Sequence, residues 1–303
     1  MEFIQEKVSF LAHGVEVAGV LRRPTEKTGK IPAIVCTHPT SSCKDQTAGI
    51  YAGKLAQAGF ITLAFDASFQ GESGGTPRYL EIPEYRVDDI RSAVDYLSTL
   101  EDVDENRIGA LGICAGGGYT VNAAMTDRRI KAVGTVVGVN LGRIYREFDP
   151  ANTLAKIAKQ RNAAIRGGEQ SIITWIPNSP QEAKEGGITD IDILEAVDYY
   201  RTPRGQHPNS PNKVDLTSFA SIISFDAFRF ADIFLTQPLQ IIIGAKQGGF
   251  GSYRDGQELY KLAASEKKDL MVLENTSHYD LYDKPEAVKP AVEKLVSFYT
   301  ENL

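Results

Sequence analysis

Apolar residues in this chain follow two rhythms. The runs Ile31–Cys36, Ile61–Phe65, Ile108–Ile113, Ala132–Val139 and Leu239–Gly244 are continuous, which predicts strands buried on both faces, as in a parallel sheet. Between them the spacing becomes helical: Val87, Ile90, Val94 and Leu97 make one apolar face, and Gln46 to Ala58 ends at Gly59, a good C-terminal stop. Lys268–Leu273 and Glu286–Tyr299 supply a last strand and helix, the helix with Val288, Val292, Leu295 and Tyr299 on one side. At the front, Val8–Ala12 and Val15–Arg22 flank a His13-Gly14 turn and read as a hairpin. Strands alternating with helices predict an α/β fold, an open and mostly parallel sheet wrapped on both sides. Sites in such folds lie outside the carboxyl ends of the strands.

One stretch breaks the alternation. From Val139 to Leu239 helical pieces are interrupted by Pro150, Pro177, Pro180, Pro203, Pro208 and Pro211, and aromatics accumulate at Tyr145, Phe148, Trp175, Tyr199, Tyr200, Phe219, Phe225, Phe228 and Phe230. It is too long for a plain connection. The expectation is a core of residues 1–140 and 236–303 carrying a mainly helical cap insertion, residues 141–235, that covers the site and shapes an apolar pocket. Packing on the flank of the sheet, or a dimer contact, is the alternative.

Composition narrows the function classes. The 303 residues suffice for one large domain, and a net charge of -6 with interspersed signs gives no footprint for nucleic acid. Apolar runs fall short of a membrane span, and Glu2, Gln5, Glu6 and Lys7 stand where a signal peptide needs an apolar segment, so a cytoplasmic location with no membrane partner is expected. Cys36, Cys43 and Cys114 are too few for a disulfide framework, and Cys36 reads as core. Homo-oligomerisation fits soluble proteins in general, but no segment specifies an interface.

The chemistry concentrates at Gly112-Ile113-Cys114-Ala115-Gly116-Gly117, where a strand-like run meets a helix-like one. Small neighbours permit a sharp turn that strains the middle residue and exposes its side chain, the layout of a nucleophile elbow. A helix amino terminus would favour thiolate over thiol at Cys114. With its elbow, with His38-Pro39 after the first buried strand, with Asp66 and Gly71-Glu72-Ser73-Gly74-Gly75 after the next, and with Ser277-His278-Tyr279-Asp280 near the end, the chain resembles an alpha/beta hydrolase. The Gly-x-Cys-x-Gly-Gly form is similar to the dienelactone hydrolase branch, and to a bacterial and fungal subgroup of it, some members of which are associated with polyketide metabolism.

That resemblance implies roles. Cys114 would attack a carbonyl carbon to give an acyl-enzyme, and His278, after the last strand, would be its base. The oxyanion hole would use the amide of Ala115 and one from the loop after the first buried strand. Pro39 has no N–H, so Thr40 is the nearer candidate, with Ser41 behind it. His38 would orient that loop or line the pocket, together with Tyr119. The family places its acid after the penultimate strand, but this chain reads Ile243-Gly244-Ala245-Lys246-Gln247-Gly248-Gly249 there. Asp255 is the next carboxylate and the candidate acid; Asp280, a neutral orienter such as Gln247, or no third member are the alternatives. Asp66 would tie loops together, Pro77-Arg78 and Glu81 would form an ion pair, and Arg86, Asp88 and Asp89 would form a solvated helix face. The expected function is hydrolysis of a small-molecule carboxylic ester, lactone or thioester, with an apolar or aromatic acyl group and with no metal or organic cofactor. Acyl transfer, or ligand binding without catalysis, is the alternative.

Overall fold

The computed structural model describes residues 1–26 and 29–303. It opens with β1 (Phe3–Ala12) and β2 (Val15–Pro24), antiparallel and in register from Phe3 opposite Pro24 to Ala12 opposite Val15. There follow β3 (Ile31–Thr37), α1 (Thr47–Gln57), β4 (Ile61–Phe65), α2 (Pro83–Ser98), β5 (Val103–Ile113), α3 (Ala115–Thr126) and β6 (Ile130–Val136). The β6–β9 connection then holds α4 (Leu141–Glu147), α5 (Pro150–Ile165), β7 (Ile172–Ile173), α6 (Pro180–Glu185), α7 (Ile191–Arg201), β8 (Val214–Asp215), α8 (Ser218–Ser224) and α9 (Ala231–Phe234). The chain closes with β9 (Leu239–Gly244), α10 (Ser252–Leu262), β10 (Lys268–Leu273), α11 (Asp280–Asp283) and α12 (Pro285–Asn302).

Among the described residues the main sheet has eight strands in the order β1-β2-β4-β3-β5-β6-β9-β10. Every pairing from β4 across to β10 is parallel, so the expected α/β class is observed. All residues of β4 and β9 are buried, because helices cover both faces and leave no side for alternation. On α12 the stripe Val288, Val292, Leu295 and Tyr299 is buried, and the Tyr299 hydroxyl donates to the Ala110 carbonyl at 2.7 Å. Burying each of its Val and Leu side chains contributes about 1.5–3 kcal/mol.

Two strands start five residues earlier than apolar pattern alone implies. β1 begins at Phe3 because it is the sheet's outer edge, where Gln5, Glu6 and Lys7 are exposed and obey no apolar rhythm. β5 begins at Val103 because Val103 pairs with Ile31. Among the described residues no helix is long and apolar enough to cross a membrane.

Candidate active site

The chain turns from β5 into α3 on a single residue, Cys114, with φ 54° and ψ −126°. Such a left-handed conformation strains a residue bearing a β-carbon. Main-chain bonds hold it in place: Cys114 N–H donates to Val136 O at 3.0 Å, while Cys114 O accepts from Gly117 at 2.9 Å and Val139 at 3.0 Å. Close approach explains the small neighbours, since a β-carbon at Gly112 would strike the Gly116 carbonyl. The thiol is 8% exposed, and burial pushes it up to about 11, against the smaller opposing pull of the Tyr282 hydroxyl and the Ala115 amide. Burial thus opposes the thiolate that a helix amino terminus favours.

The loop after β3 passes beside this turn. Thr40 and Ser41 share a cavity wall with Cys114, and the Thr40 amide donates to no group among the described residues. His38 does not line that cavity. Its Nδ1–H donates to Pro39 O at 2.6 Å and its Nε2 accepts from the Ala67 amide at 3.0 Å, so the buried neutral ring braces the loop. Tyr119 is likewise set behind the wall, fully buried, its hydroxyl donating to Glu81 at 2.9 Å. Arg86 is 2% exposed, which corrects its expected place on a solvated face. It pairs with Glu81 at 3.3 Å and donates to His38 O at 2.6 Å, fixing the carbonyl side of the same loop. Asp89 too is buried, accepting from Ser68, while Arg78 bonds the Gly71 carbonyl at 2.7 Å and leaves Glu81 to Arg86. Asp66 ties loops as expected, accepting from the Lys44 and Glu72 amides at 2.8 Å each.

His278 lies between β10 and α11, buried against Phe250, Tyr279 and Tyr282. Its Nδ1 meets Ser252 Oγ at 3.1 Å and its Nε2 meets the Tyr282 hydroxyl at 3.3 Å. Burial pushes it down to about 3, so the ring is neutral at rest. The structure does not bring Asp255 to this histidine. Asp255 is fully buried in the first turn of α10, where Arg143 donates to both its oxygens, at 2.6 and 2.9 Å, and the Asn140 amide adds a third bond at 2.8 Å. This carboxylate gives three of its about four acceptor sites to Arg143 and Asn140, and none to His278. Asp280 caps its own loop through the Ser277 amide and Lys284. The group at the far nitrogen is a serine from the start of α10, a residue that sequence reasoning passed over.

Between these walls lies a cavity, bounded on the other side by the β6–β9 connection through Leu141, Ile144, Tyr145, Trp175, Tyr200 and Asn212. Tyr145 packs edge to face against Trp175 and Phe219, which tilt against each other. No lining side chain is charged among the described residues. The Tyr200 hydroxyl is buried without a hydrogen-bond partner, although the Ser42 and Tyr282 hydroxyls are near enough to ease its ionisation. From the same helix, Asp192 accepts from the Phe250 amide at 2.9 Å with Oδ2, and its Oδ1 is buried and unpaired. Apart from this cavity, Cys43, Asp45 and His207 gather ligand-type atoms within 4.8 Å of one another, but each is engaged. His207 Nδ1 accepts from the Asn209 amide and the Cys43 thiol, and Lys44 pairs with Asp45 at 3.2 Å.

Comparison with known proteins bears on the whole chain. Residues 4–167 match the family described as PET hydrolase-like. The sequence is 42% identical to YcjY of Escherichia coli K12, described as uncharacterized, over 99% of this chain and all of YcjY. The crystal structure of the hypothetical protein PA2218 from Pseudomonas aeruginosa superposes with a TM-score of 0.91 at 32% identity, covering 99% of this chain and 94% of that one. The alpha/beta hydrolase GrgF from Penicillium sp. sh18 shares the fold, with a TM-score of 0.82 at 19% identity over 99% of each chain.

Proposed function

The chain belongs to the PET hydrolase-like family, and on that premise we propose that this alpha/beta hydrolase cleaves carboxylic esters, lactones or thioesters of neutral apolar acyl groups through Cys114 and His278. The observation that carries this reading is the Cys114 thiol, set on a positive-φ turn before α3 and opening on an apolar cavity whose wall it shares with the loop at Thr40. An apolar lining with a few polar groups suits an acyl chain and orients its carbonyl. A carboxylate on the acyl group would have to shed its water without gaining a counter-charge. The stretch 141–235 acts here as the cap, and the unpaired Tyr200 hydroxyl offers the substrate a donor.

With thiol and imidazole both neutral at rest, the proton leaves sulfur as sulfur attacks. The tetrahedral oxyanion is held by the amides of Ala115 and Thr40, the alcohol or thiol departs with the proton from His278, and water releases the acyl group by the reverse sequence. With Ser252 Oγ accepting Nδ1–H, the Nε2 lone pair faces the Tyr282 hydroxyl. Cys114→Ala should lower hydrolysis of p-nitrophenyl butyrate by at least about 1,000-fold without shifting thermal unfolding; turnover within tenfold of wild type overturns the assignment.

A further inference from the structure

Among the described residues no hydrogen bond joins His278 to Cys114; what His278 Nε2 meets is the hydroxyl of Tyr282, at 3.3 Å. Tyr282 follows His278 by one helical turn, through the short helix α11, which stacks the two rings with centroids 5.4 Å apart. It is fully buried, enclosed by Tyr199 at 5.1 Å and Tyr279 at 4.5 Å, and its carbonyl is pinned by the Thr47 hydroxyl at 3.0 Å. Tyr282 also shares the cavity wall with Cys114, close enough to ease ionisation of the thiol, and no hydrogen bond joins the two at rest among the described residues. A phenol hydroxyl can accept one hydrogen bond while donating another, and Ser252 leaves Nε2 as the acceptor that such a chain needs.

We propose that Tyr282 is a catalytic residue that carries the proton from Cys114 to His278, a step that rests on the Cys114 and His278 assignment above. The S–H bond breaks as sulfur's electron pair forms the bond to the carbonyl carbon. The proton lands on the Tyr282 oxygen while the tyrosine's own proton passes to Nε2, leaving imidazolium and a neutral tyrosine. The route reverses when the leaving alcohol or thiol takes that proton. Burial holds the Tyr282 hydroxyl well above its ordinary value, so the two transfers are coupled and no free tyrosinate forms.

The test is Tyr282→Phe, which keeps the ring and removes the bridge, assayed as the full chain on p-nitrophenyl butyrate beside Cys114→Ala. The relay requires kcat to fall about 100-fold with KM within threefold, and wild-type acylation rates in mixed H2O and D2O to curve as for two protons in flight. A kcat within threefold of wild type, or a linear dependence on deuterium content, overturns it. The isotope measurement on wild type decides the matter even if the variant fails to fold. Should Cys114→Ala remain active, the hydrolase assignment itself falls; should only Tyr282→Phe remain active, the relay alone falls.

Discussion

Two strand-to-helix connections at the same edge of the sheet, the turn at Cys114 and the loop at residues 245–251 after β9, solve the same problem by opposite means. At Cys114 the turn is closed by its own backbone, with bonds to Val136, Gly117 and Val139 and a glycine where the chain doubles back. The loop after β9 adds side chains from the β6–β9 connection to its main-chain bonds, Ala245 to Leu273, Lys246 to Thr276 and Gly251 to Gly248. Asp190 accepts from the Gly249 amide at 2.7 Å, Asp192 from Phe250 at 2.9 Å, and Arg143 donates to the Phe250 carbonyl at 2.8 Å. One half of the site is therefore closed by local backbone, and the other also needs partners from the β6–β9 connection. A glycine-rich loop that carries no acid can still present Phe250 to the cavity and start α10 at Ser252, provided that connection supplies the clamps.

The largest difference should appear when a β-carbon is added on each side. Gly112→Ala drives a methyl into the Gly116 carbonyl, a backbone atom that cannot yield without unmaking the turn, and should cost about 4 kcal/mol or prevent folding. Gly248→Ala meets the Asp192 carboxyl instead, a side chain that can rotate, and should cost about 2 kcal/mol. Chemical denaturation of the two variants checks the ranking. Equal losses would mean that the loop is as locally determined as the turn.

That asymmetry also explains what could be read in advance. The continuous apolar runs marked the buried strands, and the small residues around Cys114 marked its turn, because in each case the constraint lies within a few residues. Asp255 was misread because the arginine that claims it comes from α4, at Arg143, and no local pattern announces that partner. Ser252 and Tyr282 carried weaker signals: the first residue after a left-handed Gly251, and a tyrosine four positions after the histidine. Tyr200 was legible only as one aromatic among many in its stretch, and Asp192 had no signal, since only the docking of α7 brings it to the loop after β9.

Next in size is the pair Asp255→Asn and Ser252→Ala, which separates holding the loop from orienting the base. Asp255→Asn leaves the buried Arg143 only the exposed Glu147 as counter-charge and should destabilise by about 3 kcal/mol, while kcat per folded molecule stays within about threefold of wild type. Ser252→Ala should do the reverse. It removes the acceptor that fixes the imidazole tautomer, lowering kcat about tenfold with stability changed by less than about 1 kcal/mol. A large loss of kcat in Asp255→Asn would return the carboxylate to the catalytic machinery.

The smallest effect is the most diagnostic for the loop after β9, because its sign changes with pH. Burial pushes the Asp192 carboxyl up from 3.8 to about 7, with Asp190 and Glu195 adding to it and only the Phe250 amide pulling it down. The folded protein thus keeps a proton that the unfolded chain releases. The stability this gives is complete below the unfolded value and is lost as pH rises through about 7, at up to about 1.4 kcal/mol per unit. Asp192→Asn keeps the acceptor for Phe250 and cannot ionise, but it sets an amide NH2 where Oδ1 now lies unpaired, at a cost of about 2 kcal/mol at every pH. The variant should therefore be less stable than wild type near pH 4 and more stable, by about 2 kcal/mol, near pH 8. Urea unfolding at the two pH values measures the crossover. A difference that does not vary with pH would show that Asp192 is ionised throughout and that the clamp on Phe250 is a charged one, making the loop after β9 as firmly held as the turn at Cys114.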